Sequence, residues 1–291
     1  SEACDDGNTK DGDGCSAKCT LEKGFEGMAY VPYGNFWMGC NAKVDSQCNA
    51  EEKPQHEVVL SAYWIDRDEV TVAKYKTCVS AGNCGKPSTG KSLNWGVGGR
   101  EQHPVNGVNW AQAVAYCKFV GSRLPTEAEW EKAARGGCEK YPGQDCKSVM
   151  PKFPWGSTAP ECGKHAVFTT TTGPVACGKG STWKVGAGST SGKSPYGLRD
   201  MAGNVWEWVS DWYGKNYFAV SPKNDPTGPQ NGKERQLRGG SWNYPPGYIR
   251  AGYRGKYPPG YAVDILGFRC ARYAPAVCGN GNLEKGEACD D

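Results

Sequence analysis

Three residues in the stretch Gly197–Tyr213, GLRDMAGNVWEWVSDWY, could hold a hard cation. Asp200, Asn204 and Glu207 offer oxygen donors within a few positions of one another, which is the chemistry calcium requires. The glycines and Asn204 predict a tight backbone bend at that point. A second set of oxygen donors stands near the start, where Asp5, Asp6, Asn8, Asp11 and Asp13 are interleaved with Gly7, Gly12 and Gly14. Carboxylates alternating with glycines let a loop wrap calcium; a solvated acidic turn closed by Cys15 and Cys19 is the other reading. Glu127, Glu129 and Glu131 resemble a catalytic carboxylate cluster, but the spacing suits a helix cap and a solvated first turn better. The three histidines, His56, His103 and His165, do not pair at helix spacing, which argues against a zinc enzyme.

The elements that must position these residues follow from local patterns. Val205, Glu207 and Val209 alternate with Trp206 and Trp208, which predicts a short strand with two different faces. Trp206, Trp208 and Trp212 are expected in a core. Met28–Cys40 alternates apolar and turn residues and predicts a hairpin, and His56–Val70 contains a strand through Val58, Leu60, Tyr63 and Ile65. A helix is expected from Thr71, with Val72, Tyr75, Cys78 and Val79 on one face. Asn109 can cap a second helix with Ala113, Val114, Cys117 and Val120 inward, and Thr126 to Glu129 forms a capping box for a third that stops at Gly136. Residues 138–196 are loop-rich.

The chain has 291 residues, 15 cysteines, 41 glycines and a net charge of +3. The weak charge suggests neither nucleic acid nor an acidic membrane surface as partner, and no apolar run is long enough for membrane insertion. Cysteine at this density without paired CxxC motifs points to disulfides in an oxidising, extracellular setting. Spacing predicts local bridges Cys40–Cys48, Cys78–Cys84, Cys138–Cys146 and Cys162–Cys177. The pentapeptide YPPGY occurs twice, at 244–248 and 257–261. Its prolines and glycine make stiff turns on which Tyr244, Tyr248, Tyr257 and Tyr261 either grip a cell-surface or matrix ligand or pack within the domain.

The two ends share EACDD, at residues 2–6 and 287–291. Joined through that overlap they read CGNGNLEKGEACDDGNTKDGDGCSAKC, which resembles a Cys-rich repeat of myxobacterial and related secreted proteins. Counting the shared position once leaves an even number of cysteines, so the expectation is a head-to-tail array of copies, with partial repeats at 1–23 and 275–291 around a domain at 24–274.

GNFWMGC, EVTVAKYKTCV, PVNGVNWAQAVAYCKFVGSRLPTEAEWEKAARGG, FPWG, YGLRDMAGNVWEWVSDWY, RGGSW and GFRCAR occur in that order. From Met28 to Tyr273 the chain resembles the formylglycine-generating enzyme (sulfatase-modifying factor) family. The resemblance implies an α+β fold, irregular and related to C-type lectins, with little regular secondary structure. It implies a bridge between Cys117 and Cys270, and calcium at Asn204, Glu207 and the Val205 carbonyl. The family's second calcium site uses an Asn-containing segment after PWG that here reads CGKHAVF, so it does not carry over. The family's oxidases hold copper with a cysteine pair shortly after RGGS; the matching positions are Tyr244 and Ile249, so no copper is expected. A related branch uses non-haem iron on a His-rich bundle that this chain lacks. The sequence therefore predicts a non-catalytic, calcium-stabilised module: a unit of a surface fibre, or a ligand-binding adhesin, with a diverged oxidase of the formylglycine-generating type as the enzymatic alternative.

Overall fold

Met28–Val31 (β1) and Gly34–Met38 (β2) carry the alternation that predicts a hairpin, yet they do not pair with each other. In the computed structural model, which describes residues 25–170, 173 and 175–274, each joins a different sheet. β2 pairs antiparallel with His56–Leu60 (β3), with Gly34 opposite Leu60 and Met38 opposite His56. β1 pairs with Tyr63–Asp66 (β4). Pro32 has no N–H to continue a ladder and Gly34 sits at φ +144°, so the chain turns out of one sheet into the next. The run from His56 to Ile65 is likewise two strands. It breaks at Ser61, whose N–H and hydroxyl donate to Asp225 at 2.9 and 2.8 Å.

The helices follow their local signals. α1 (Val72–Ser80) is capped by Thr71, whose hydroxyl accepts from Lys74 N at 3.2 Å, and it buries Val72, Tyr75 and Cys78. α2 (Trp110–Phe119) starts on a capping box of Asn109 and Gln112. α3 (Glu127–Arg135) starts on one of Thr126 and Glu129, and ends at Gly136, φ +90°. The carboxylates of α3 are not solvated as expected from the cap. Glu127, Glu129 and Glu131 are buried and paired: Glu127 with Arg254, Glu129 with Arg123, and Glu131 with Arg135 and Arg238. A short α4 (Cys146–Val149) follows.

Trp206–Trp212 (β5) lies inside a third sheet. Arg235–Arg238 (β6) pairs with it antiparallel, Gly255–Tyr257 (β7) lies beyond β6, and Leu266–Gly267 (β8) pairs parallel on the other side. Ala271–Tyr273 (β9) completes the first sheet beside β4. Trp206 and Trp208 face a core with Tyr75, Tyr116, Trp242 and Phe268. On the other face Val209 joins a core with Phe36, Leu60, Tyr63 and Trp130. Trp212 departs from the expected core role. It is only half-buried, where the ladder with β6 shifts register, and the Arg235 guanidinium lies over its ring at 3.5 Å.

Among the described residues five disulfides hold the irregular regions: Cys40–Cys48, Cys78–Cys84, Cys117–Cys270, Cys138–Cys146 and Cys162–Cys177. Cys117–Cys270 ties α2 to the strand end beside β9 across 153 residues, the largest loop closed. Among the described residues no helix is long and apolar enough to cross a membrane. The two partial repeats, with Asp5, Asp6, Asn8, Asp11 and Asp13, lie outside the described residues.

Candidate functional site: an acidic bend and a tyrosine pocket

The bend before β5 is built from left-handed residues, Gly197 (φ +79°), Asp200 (φ +55°), Gly203 (φ +79°) and Asn204 (φ +60°). Asp and Asn tolerate that region better than other side chains. At Gly203 the need is absolute, because a Cβ there would run into the Val167 carbonyl. Asn204 is fully buried and fixes three segments at once. Its N–H donates to Val167 O at 2.8 Å, its Oδ1 accepts from Trp183 N at 2.9 Å, and its Nδ2 donates to Glu69 Oε2 at 2.6 Å. Glu69 Oε1 accepts from Val205 N at 3.1 Å.

Glu207 is held from below. Arg269 donates to both its oxygens at 2.7 Å, and Trp130 Nε1 donates to Oε2 at 2.7 Å. A carboxylate has about four acceptor positions, so Oε1, with one donor, keeps capacity. Asp200 Oδ2 accepts from Gly186 N, whereas Asp200 Oδ1 is buried with no hydrogen-bond partner. Burial pushes the Glu69 carboxyl well up, and the charges of Asp200 and Glu207 push it further. Burial also raises Asp200. Burial opposes the Arg269 charge, but Glu207 outweighs it and Arg269 is held above the usual range. Three buried carboxyls thus act on one another and on one buried guanidinium, and the orphaned Asp200 Oδ1 with the spare capacity of Glu207 Oε1 is donor chemistry that suits a hard cation. Glu69 and Arg269 escaped the sequence reading, although both lie inside the quoted motifs EVTVAKYKTCV and GFRCAR.

Downstream, the chain folds back over β5 and makes a pocket of about 220 Å³. Trp206, Tyr244, Tyr248, Tyr253 and Tyr257 line it, with Glu51 at its edge. The rings brace one another: Tyr248 lies 5.0 Å from Tyr244 and 4.8 Å from Tyr253, and Trp206 meets Tyr244 edge-on at 5.6 Å. Gly240, φ +76°, permits the fold-back, since a Cβ there would come within 2.6 Å of Ile249 Cγ2. Burial, then neighbouring Tyr257, pushes the Tyr244 phenol up to about 12, and burial, then Tyr248, does the same at Tyr253. Both therefore remain neutral near pH 7. Two cations also border the pocket, but both are paired. Arg254 donates to Glu127 at 2.7 and 2.8 Å, and Lys256 lies 3.0 Å from Glu234. The two YPPGY turns therefore pack and line a cavity together. Tyr257 stacks on Tyr261 at 5.3 Å, and Tyr261 remains 50% exposed.

Of the two copper positions implied by the family resemblance, one falls at this pocket. Tyr244 lines it, and Ile249 is buried beside Phe153, Phe168 and Ala202. All ten cysteines among the described residues are in disulfides, so none offers a thiolate, and the residues do not fit Cu(I). Cys40, Cys48 and Glu52 cluster as metal ligands would, but the cysteines are bridged and Glu52 binds Arg250 at 2.7 and 2.8 Å. The histidines stand apart: His56 packs on Phe218, His165 stacks on Trp155, and His103 contacts Arg100 and Thr182.

Residues 17–274 match the model of the sulfatase-modifying factor enzyme 1-like domain. The formylglycine-generating enzyme of Streptomyces coelicolor is 32% identical over 307 residues, spanning 87% of this chain and 91% of that protein. Serine/threonine-protein kinase pkn1 of Chlamydia caviae is 31% identical over 270 residues, covering 85% of this chain but only 38% of the kinase's length. Among solved structures, PvdO from Pseudomonas aeruginosa superposes with a TM-score of 0.68 at 25% identity, covering 84% of this chain and 94% of PvdO. A formylglycine-generating enzyme and the hercynine oxygenase of Mycolicibacterium smegmatis, 30% identical over 255 residues, are thus among the relatives, so the scaffold is one that supports enzymes. With its motifs in order and its irregular α+β architecture held by disulfides, this chain belongs to the sulfatase-modifying factor family.

Proposed function

We propose that this chain is a non-catalytic, calcium-stabilised, extracellular binding module of the sulfatase-modifying factor family, in which the tyrosine pocket takes the place of the oxidase centre. One observation carries the reading: an aromatic pocket wall and a buried isoleucine occupy the positions of the copper-binding cysteines, and every described cysteine is already bridged. Neutral phenols over a tryptophan offer a broad, rigid contact surface with hydroxyl tips, which suits binding a surface or matrix ligand at low entropic cost. Of the implied calcium residues, Glu207 and the Val205 carbonyl are kept, whereas Asn204, whose Oδ1 and Nδ2 are both engaged, fixes the backbone with Glu69, and Asp200 with its orphaned Oδ1 takes its place as a donor. Calcium held there would supply charge compensation and rigidity. The disulfides and the absence of thiol chemistry favour an oxidising, extracellular setting.

The test is incubation of the purified chain with a cysteine-containing peptide, Cu(I) and oxygen. Mass spectrometry should find the peptide cysteine unconverted. Conversion to an aldehyde at catalytic turnover would overturn the reading. A head-to-tail array of copies is a second reading, favoured by the shared EACDD, the Cys-rich repeat it completes and the even cysteine count; filaments in electron micrographs of native material are expected, and dispersed monomers would overturn it.

A further inference from the structure

A second cavity, of about 310 Å³, lies away from the tyrosines and has the opposite character. Arg100, His103, Lys179, Ser181, Thr182 and Lys184 line it, and no carboxylate does. Glu101, the adjacent acid in the chain, instead accepts from Gly99 N at 3.3 Å. Arg100, Lys179 and Lys184 form no ion pair among the described residues. Three like charges gathered without a counter-charge repel one another, whereas the buried Arg135, Arg238, Arg250, Arg254 and Arg269 each meet a carboxylate.

The cavity is also held in shape. Arg100 Nη1 donates to Ser181 Oγ at 3.1 Å and Thr182 O at 3.3 Å, and lies 3.2 Å from His103 Nδ1. Its Nε and Nη2 make no hydrogen bond among the described residues and are left for a ligand. Lys179 is positioned over the Trp183 ring at 3.7 Å. The loop bearing Lys184 is tied down on both sides: Trp183 N to Asn204 Oδ1 at 2.9 Å, Val185 N to Gln102 O at 3.0 Å, and Gly186 N to Asp200. The acidic bend thus supports the basic cavity. Burial, and then Arg100 and Lys184, push His103 down to about 4, so the imidazole is neutral near pH 7.

We propose that this cavity binds a doubly charged tetrahedral oxyanion, the sulfate or phosphate group of a small ligand. Three cationic donors exceed what a monoanion neutralises and match a dianion. The proposal is independent of the tyrosine pocket and of whether the chain is catalytic.

The test is isothermal titration of the whole chain with inorganic sulfate and with inorganic phosphate, against chloride at equal ionic strength and against acetate. Saturable binding of at least one dianion, and not of acetate, is expected. Lys179→Gln/Lys184→Gln, which alters only exposed side chains, should weaken it by about tenfold or more while the melting temperature stays unchanged, and Arg100→Gln should weaken it further. Phosphate affinity that rises from about pH 5.5 to 7.5, following its second ionisation, marks phosphate as the group; sulfate affinity should be flat over the same range. No saturable binding above chloride, or binding unaltered in the double lysine variant, would overturn the proposal.

Discussion

Asp211, near the end of β5, is shut away from water, where it accepts from Glu127 N and from Ser210 Oγ, each at 2.9 Å. Burial, and then the Glu127 charge, push its carboxyl up to about 7. The unfolded value is about 3.9. The folded state therefore holds the proton more tightly, and this contribution to stability is fully present below about pH 3.9 and lost as pH rises through about 7. Between about pH 5 and 8 the native chain should lose on the order of 2–4 kcal/mol relative to Asp211→Asn. Thermal melts of the two proteins across that range read it directly, and parallel curves would contradict it. Nothing local marks Asp211 in the sequence, because the partner that raises its pKa lies 84 residues away. The bend at Asp200 and Asn204, by contrast, was legible, since its glycines and left-handed residues are neighbours in the chain.

Helix caps were readable for the same reason: Thr71, Asn109 and Thr126 act on N–H groups three residues ahead. Strand partners were not. β1 and β2 show the alternation of a hairpin, and only distant β3 and β4 reveal that the intervening turn separates two sheets. The carboxylates of α3 were misjudged through long-range pairing too. Glu131 meets Arg238 from 107 residues away, and Glu127 meets Arg254 across 127. Removing a buried partner is costly, because the guanidinium is left uncompensated. Glu131→Gln should therefore destabilise by about 3–5 kcal/mol in urea unfolding. Lys164→Ala, which breaks the exposed Glu161–Lys164 pair, should leave the midpoint where it is. Equal effects of the two substitutions would contradict this division.

For the molecule as a whole, β5 divides two cores, and Cys117–Cys270 closes the chain around one of them. Replacing both cysteines by serine should cost about 2–5 kcal/mol, more than removing any of the shorter loops, as measured by chemical unfolding. The fold was legible because motif order survives where pairing cannot be read. The tyrosine pocket was legible only as two repeated pentapeptides, since its other walls, Trp206, Tyr213 and Glu51, come from separate parts of the chain. The central claim joins both halves of the site: a structural cation at the bend, and no redox metal at the pocket. Elemental analysis of the purified chain tests it most directly. Calcium should be present in stoichiometric amount, its removal by chelation should lower the melting temperature, and copper and iron should be absent. Copper or iron in stoichiometric amount would contradict the account.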